Sequence, residues 1–184
     1  MRVKRQFLKT TRRYRVKEDG ATAVEFSIVA LPFFVLMFGL IEISLIFMMS
    51  TMMDVGIGSA ARSIRTGEFQ TASEGMSESE MKDAFRARVC DAMADLFNCR
   101  NKLFMDVRTV GQFSDVDPVD PLDDDDEIDD GALIFETSGR EDIVVVRAYY
   151  KWDLIMPGLT APLANLPGNS RLLQSTVVLR NEPF

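Results

Sequence analysis

The order of hydrophobic and polar positions divides the chain into a basic head, an apolar run and a mixed body. Residues 1–19 hold eight Lys or Arg and two acids, whereas residues 26–41 carry no charge. Residues 21–53 can form one continuous helix. This helix contains one proline, Pro32, and one charge in its interior, Glu42, in addition to Glu25 near its start. At about 1.5 Å per residue this helix is roughly 50 Å long, whereas the hydrocarbon core of a bilayer is about 30 Å thick. The pattern predicts a transmembrane helix that protrudes from the membrane.

The body that follows shows helical and then strand periodicity. The sequence S-E-S-E at residues 77–80 is a capping box, which is typical of a helix start. Strands are predicted at residues 103–110, 143–154 and 172–180. We therefore expect an α+β fold, in which the long transmembrane helix precedes a small domain with a short antiparallel sheet. Apolar residues at helical spacing follow the capping box: Met81, Ala84, Phe85, Val89, Ala92, Met93 and Leu96.

Length and charge limit the class of protein. The chain has 184 residues, of which 47% are apolar, and this is enough for one membrane segment and one small domain. The first 19 residues carry a net charge of +6 and the remainder carries −13. The positive-inside rule then places the basic head in the cytoplasm and the acidic body across the membrane, which in a bacterium is the periplasm. We expect no nucleic-acid partner, because an acidic body repels phosphate.

The sequence carries no recognised catalytic signature. It has no histidine, which excludes Ser-His-Asp and Cys-His machinery. It also lacks GxSxG, P-loop and dinucleotide fingerprints. We expect neither an enzyme nor a bound cofactor.

The junction between the head and the apolar run is the most informative part of the sequence. A secretory signal has its small-residue cleavage site after the apolar stretch, whereas Gly20 and Ala21 come before it. Cleavage after Gly20 would remove the basic leader and keep the apolar segment, which is the arrangement of type IV prepilins. The sequence G-A-T-A-V-E-F, from Gly20 to Phe26 with Glu25 inside it, resembles the cleavage motif of the Flp branch of type IV pili.

The continuation of this motif narrows the resemblance. The run AVEFSIVALPFFVLMFGLIEISLIF, with Pro32 seven residues after Glu25, resembles the TadE-like pseudopilins. An alanine-arginine stretch that follows the membrane helix in that family is similar to Ala60, Ala61, Arg62, Arg65, Thr66 and Gly67.

The resemblance implies a pilin-like minor pilin that takes part in assembly of an Flp (Tad) type IV pilus or a related secretion filament, in adhesion or secretion. Residues 1–20 would be the leader, 21–56 the transmembrane helix with its periplasmic extension, and 57–184 the periplasmic α+β domain. The protein would be inserted in the inner membrane and then be incorporated in the pilus. Its implied partners are a prepilin peptidase, other pseudopilins, the major pilin, the inner-membrane assembly platform and membrane lipid.

Two acids and a proline in the helix are candidate assembly residues, together with Phe26. By resemblance to pilins, Glu25 would pair with the free amino group of Ala21 of another subunit, and this interpretation is favoured over an ordinary interfacial acid. Pro32 removes one helical hydrogen bond. The proline is interpreted either as a tolerated kink or as a point of local unwinding during assembly. Glu42 requires a partner or access to water, and the sequence does not identify its partner.

Small and sulfur-containing residues follow Glu42. Adaptable apolar packing is favoured over a soft-metal site for Met48, Met49, Met52 and Met53. The small residues of the stretch 56–61 either permit close helix contact or mark the helix end.

Two features of the body suggest further chemistry. In an oxidising periplasm Cys90 and Cys99 are expected to form a disulfide, and their spacing is a poor match to a zinc site. Residues 115–130 contain ten acids, which indicates a solvated, mobile loop or, alternatively, a calcium-binding loop. The loop also supports a second functional hypothesis, in which the chain is an uncleaved single-span periplasmic binding protein whose acidic loop binds a cation or ligand.

Overall fold

The computed structural model describes residues 19–136 and 138–184 and has the predicted combination of a long N-terminal helix and a small antiparallel sheet. Two compact units meet in sequence between Ile41 and Glu42. The helices are α1 (Asp19–Arg65), α2 (Glu68–Ala72), α3 (Glu78–Ala92), α4 (Cys99–Lys102) and α5 (Pro157–Thr160). The strands are β1 (Leu103–Val110), β2 (Ile143–Asp153) and β3 (Ser170–Arg180). Short 3-10 turns lie at Leu96–Asn98, Phe113–Asp115 and Ala161–Leu163.

In the first unit, the described residues 19–41 are all helical, and most of their side chains are exposed. Helix α1 is continuous through Pro32, so the proline does not end it. The same helix is the one candidate membrane span among the described residues, by its length and hydropathy. The structure therefore supports membrane anchoring by an N-terminal helix.

Helix α1 extends further into the body than the boundary at residue 56 that the sequence analysis gives. It ends at Arg65, and the chain reverses at Gly67, whose φ of 76° suits glycine and whose amide donates to the carbonyl of Ile64 at 3.1 Å. The stretch 56–61 therefore lies inside the helix, and its buried members Gly56, Ala60 and Ala61 pack against the body instead of marking a helix end.

The second unit, Glu42–Phe184, contains the sheet in the order β1-β2-β3, with both pairs antiparallel. The predicted strands are confirmed, although β2 ends one residue early, at Asp153, and β3 begins at Ser170. One face of the sheet forms the core together with α3 and with residues 42–65 of α1, which we call the body part of α1. The residues on this face of β1 and β2 are Leu103, Met105, Val107, Val144, Val146, Ala148, Tyr150 and Trp152.

Helix α3 starts as the sequence predicts and ends earlier than its apolar stripe suggests. Ser77 and Glu80 form the predicted capping box, with Ser77 N donating to Glu80 Oε2 at 2.8 Å. Met81, Phe85 and Val89 are buried. The predicted stripe is confirmed at Met93, which is buried, and is wrong at Ala92 and Leu96, which are exposed. Helix α3 ends at Ala92, and the backbone then turns through positive φ at Ala94 and Asp95, ahead of Leu96.

Candidate assembly site

The predicted cleavage junction lies in the first turn of α1. Gly20 and Ala21 are both exposed, and a Cβ atom on Gly20 would meet no heavy atom within 4 Å. The basic head, residues 1–18, lies outside the described residues. Side chains at Gly20 are therefore sterically tolerated by the described part of the fold.

Glu25 and Phe26 follow on the same exposed stretch of helix. Phe26 is 69% exposed, and Glu25 is also exposed. Within residues 19–136 and 138–184, no hydrogen bond or ion pair engages the Glu25 carboxylate. Glu25 is thus the one charged residue among residues 20–41 of the described helix, and it lies four residues, or about one helical turn, from Ala21.

Glu42 is the most strongly fixed acid of the helix. Its side chain is only 1% exposed. Oε1 accepts a hydrogen bond from the indole Nε1 of Trp152 at 3.0 Å. Oε2 accepts from the backbone amides of Ile155 at 3.0 Å and Met156 at 3.3 Å. The buried carboxylate therefore holds the end of β2 and the chain that follows it.

These three donors answer the requirement for a partner that the sequence leaves open. A buried carboxylate costs little when several N–H groups bind it, and much when they are removed. The signal in the sequence is weak, because Trp152 is 110 residues from Glu42 and two of the donors are backbone amides. Trp152, the one tryptophan of the sequence, is the only one of the three donors that belongs to a side chain.

The body face of α1 continues from Glu42 at helical spacing. Met49, Met53 and Ile57 are fully buried, whereas Met48 is 37% exposed on the other side. Met49 and Met53 therefore pack in the core, as the sequence predicts, whereas Met48 does not. Met52 is partly buried against the same core.

Gly56 allows α1 and α3 to approach closely. A Cβ atom at Gly56 would lie 2.8 Å from Cγ of Met93 and 3.1 Å from the carbonyl oxygen of Val89. A Cβ atom at Gly58 would meet nothing within 4 Å. The two glycines are only two residues apart and have opposite structural roles.

The disulfide is present between Cys90 at the end of α3 and Cys99 at the start of α4. It closes a turn in which Phe97 has a φ of 55°. The Phe97 ring packs edge-on against Trp152 with ring centroids 5.2 Å apart, and its carbonyl accepts a hydrogen bond from Tyr150 Oη. The disulfide thus holds a turn that covers the same end of β2 that Glu42 binds.

Two titrating groups lie at this end of β2. Burial raises the pKa of Tyr150 to about 12, and the Asp153 carboxylate adds to the shift. A hydrogen bond from Lys102, with a second from Ser170, lowers the pKa of Asp153. At neutral pH Tyr150 is therefore a neutral hydrogen-bond donor and Asp153 is an anion.

The acidic loop, residues 115–130, covers the second face of the sheet. Three side chains of β2 hold it: Arg147 donates to the Asp117 carbonyl at 2.6 Å, Tyr149 to the Val119 carbonyl at 3.4 Å, and Lys151 to the Glu127 carboxylate at 2.5 Å. The acidic side chains of the loop are exposed, as expected for a solvated loop. Its backbone, however, is fastened to the sheet.

A buried ion pair lies beneath this loop. Asp106 on β1 is fully buried and Arg147 on β2 is 4% exposed, and their side chains meet at 3.0 Å. Arg108 binds both Asp106 oxygens at 2.9 and 3.0 Å, and the Ile134 amide donates to Oδ1 at 3.2 Å. This pair is not predicted from the sequence, because alternating charges on a strand are usually solvent-facing.

Metal-binding geometry is limited in the described residues. The only cluster of three candidate ligands within residues 19–136 and 138–184 is Cys90, Asp95 and Cys99. The two sulfurs of this cluster are bonded to each other, so they are not available as thiolate ligands. No three carboxylates of the acidic loop converge, and the calcium alternative gains no support.

Comparison with known proteins gives one match, which lies in α1. The family model described as TadE-like protein matches residues 20–62. No curated protein and no solved structure gives a significant match to the chain. The predicted resemblance to the TadE-like family is confirmed over those residues.

The TadE-like segment contains all of the candidate cleavage and assembly residues. Gly20, Glu25 and Pro32 lie in its exposed part, and Glu42 lies where it joins the folded body. The segment also includes Gly56, which packs against Val89 and Met93 at the end of α3. The sheet, the disulfide and the acidic loop lie outside the TadE-like match.

Proposed function

We propose that this chain is a TadE-like minor pilin, which is inserted in the bacterial inner membrane and matured by cleavage after Gly20. It takes part in assembly of an Flp (Tad) type IV pilus or a related secretion filament, and its work is assembly without catalysis. The TadE-like match over residues 20–62 carries this proposal, because it begins at the cleavage junction and covers the candidate span. The basic head favours a cytoplasmic N-terminus and a periplasmic body.

Glu25 supplies the assembly chemistry in this proposal. Cleavage would create an amino group on Ala21, about one turn from Glu25. A carboxylate on an apolar helix surface is costly within a filament core unless a cation neutralises it. Because the described residues offer Glu25 no partner, the amino terminus of a neighbouring pilin subunit is the proposed one. Prepilin peptidase, the other pseudopilins, the major pilin and the assembly platform are the proposed partners.

Intact-mass spectrometry of the protein from native membranes tests maturation. We expect an amino terminus at Ala21, and a Gly20→Leu variant should keep the basic head because the bulky side chain blocks the peptidase. The described fold tolerates this change, since nothing lies within 4 Å of a Cβ at Gly20. An intact head in the unmodified protein would instead support a permanently anchored periplasmic binding protein.

Incorporation of Glu25→Ala into filaments tests the assembly role separately. We expect normal membrane insertion and loss of the protein from sheared filaments. Ser27→Ala is the matched control, since Ser27 is exposed on the same stretch and its hydroxyl donates only to the Ala23 carbonyl of its own helix. Normal incorporation of Glu25→Ala would refute the role of this carboxylate.

A further inference from the structure

The body carries an uncharged surface beside Glu42. Residues 154–170 contain no Asp, Glu, Lys or Arg, although charged residues flank them on both sides. Within this stretch Ile155 is 59% exposed and Leu159 is 42% exposed. The backbone between them is ordered by α5, in which the amides of Leu159 and Thr160 both donate to the Met156 carbonyl. Two exposed apolar side chains are therefore presented by a defined turn.

Glu42 fixes the level of this turn along α1. Ile155 N and Met156 N donate to the Glu42 carboxylate, as does Trp152. Residues 154–163, which we call the apolar turn segment, therefore begin beside the residue that ends the uncharged run of the helix.

The other side of α1 is still apolar at this level. Ile43 is 38% exposed and Phe47 is 69% exposed. The next charged residue after Glu42 is Asp54, twelve positions later. Phe47 lies about 7.5 Å beyond Glu42 along the helix axis. Lipid that covers this face of the helix would thus reach the level of the apolar turn segment.

We propose that the apolar turn segment inserts into the headgroup–acyl boundary of the bilayer, with Ile155 and Leu159 as the inserted side chains. Interfacial elements of this kind bury their apolar face about 5–10 Å into the boundary region. The segment has no Lys or Arg, so zwitterionic lipid is a sufficient partner. The three N–H donors around Glu42 satisfy its carboxylate at a depth where water is scarce. This proposal requires membrane insertion of α1, and it does not require cleavage or filament assembly.

Fluorescence quenching by brominated lipid tests the proposal on the full-length chain in phosphatidylcholine vesicles. We compare Ile155→Trp with Phe113→Trp, since Phe113 is 60% exposed and follows β1 at the end of the sheet away from Asp153. Trp152 contributes the same background to both variants. Lipid brominated near the headgroup end of its chains should roughly halve the added fluorescence of Ile155→Trp and leave that of Phe113→Trp unchanged.

Leu159→Trp provides a second probe of the same surface, and it should be quenched in the same way. Exchange of half of the phosphatidylcholine for phosphatidylglycerol should leave the quenching of both probes unchanged. Probes that stay unquenched in vesicle-bound protein would overturn the proposal. A blue-shifted but unquenched probe would overturn it too, because a protein surface would then cover the segment.

Discussion

The indole Nε1 of Trp152 donates to Oε1 of Glu42 at 3.0 Å across a sequence separation of 110 residues. Trp152 is also in edge-on contact with Phe97, which lies in the turn closed by the disulfide. The start of the body part of α1, the end of β2 and the Cys90–Cys99 turn therefore meet at one point. A substitution in any one of the three is therefore expected to disturb the packing of the other two.

Replacement of Glu42 should destabilise the body without preventing membrane insertion. Both carboxylate oxygens accept N–H donors, so Glu42→Gln leaves at least one donor without an acceptor. We expect a loss of about 1.5–3 kcal/mol in the free energy of unfolding, the range for hydrogen bonds to charged groups. Urea unfolding in detergent micelles, followed by far-UV circular dichroism, measures it.

A double-mutant cycle with Trp152→Phe shows whether the two side chains act together. We expect the Glu42→Ala, Trp152→Phe double variant to lose less stability than the sum of the two single losses, because each single change removes the Glu42–Trp152 hydrogen bond. Strictly additive losses would contradict a direct coupling between Glu42 and Trp152.

The two glycines of α1 offer a matched pair for testing the contact with α3. Gly56→Ala should cost about 1–3 kcal/mol, since its Cβ would lie 2.8 Å from Met93 Cγ and 3.1 Å from the Val89 carbonyl. Gly58→Ala should be neutral or stabilise the helix by about 0.5–1 kcal/mol, because its Cβ meets open space. Thermal unfolding of both variants in the same micelles provides the comparison, and equal shifts would argue against close packing at Gly56.

Two ion pairs near the acidic loop differ in burial, and their contributions to stability can be compared. Asp106 pairs with Arg147 beneath the loop, and Glu127 of the loop pairs with Lys151 at the surface. Asp106→Asn leaves Arg147 as a buried cation with a weaker partner, and we expect a loss of about 3–5 kcal/mol. Glu127→Gln removes only the exposed pair with Lys151 and should change stability by less than about 1 kcal/mol. Urea unfolding measures both, and similar effects would mean that burial of the Asp106–Arg147 pair contributes little to stability.

Local signals in the sequence predict the elements of this fold better than their contacts. The Ser77–Glu80 capping box and the strand at 103–110 are confirmed because neighbouring residues specify them. The end of α1 is less predictable, because glycine is unfavourable in a helix interior and Gly56 therefore suggests a helix end. The local sequence does not show that Gly56 packs against Met93.

The partners of buried charges are also not predictable from the sequence, because they lie far apart along the chain. Arg147 and Asp106 are 41 residues apart, and each lies in an ordinary alternating strand. The ten acids of the loop dominate its composition, whereas carbonyl groups of Asp117 and Val119 hold it to the sheet. Composition describes side chains, and here the backbone makes the decisive contacts.

Reduction of the disulfide should loosen the end of β2 as well as the turn itself. A cross-link that closes a loop of this length contributes about 2–3 kcal/mol in the chain-entropy description. We expect the Cys90→Ser, Cys99→Ser double variant to lose this amount and to lose near-UV circular dichroism from Trp152, because Phe97 is released from its ring. A near-UV spectrum identical to that of the oxidised protein would show that the turn holds its place without the disulfide.

Alkaline pH should destabilise the body through Tyr150. The pKa of its phenol is raised from 10.0 to about 12 in the folded chain, so the folded state keeps its proton where the unfolded state releases it. The unfolded state therefore binds fewer protons between about pH 10 and 12, and the free energy of unfolding falls as the pH rises through this window. Tyr150→Phe should start less stable at pH 8, because the donor to the Phe97 carbonyl is lost. It should then show a shallower decline above pH 10, with the remaining slope partly due to Tyr149, whose pKa burial also raises. Urea midpoints at intervals from pH 8 to pH 11.5 measure both effects, and parallel curves for the two proteins would exclude Tyr150 as the titrating group.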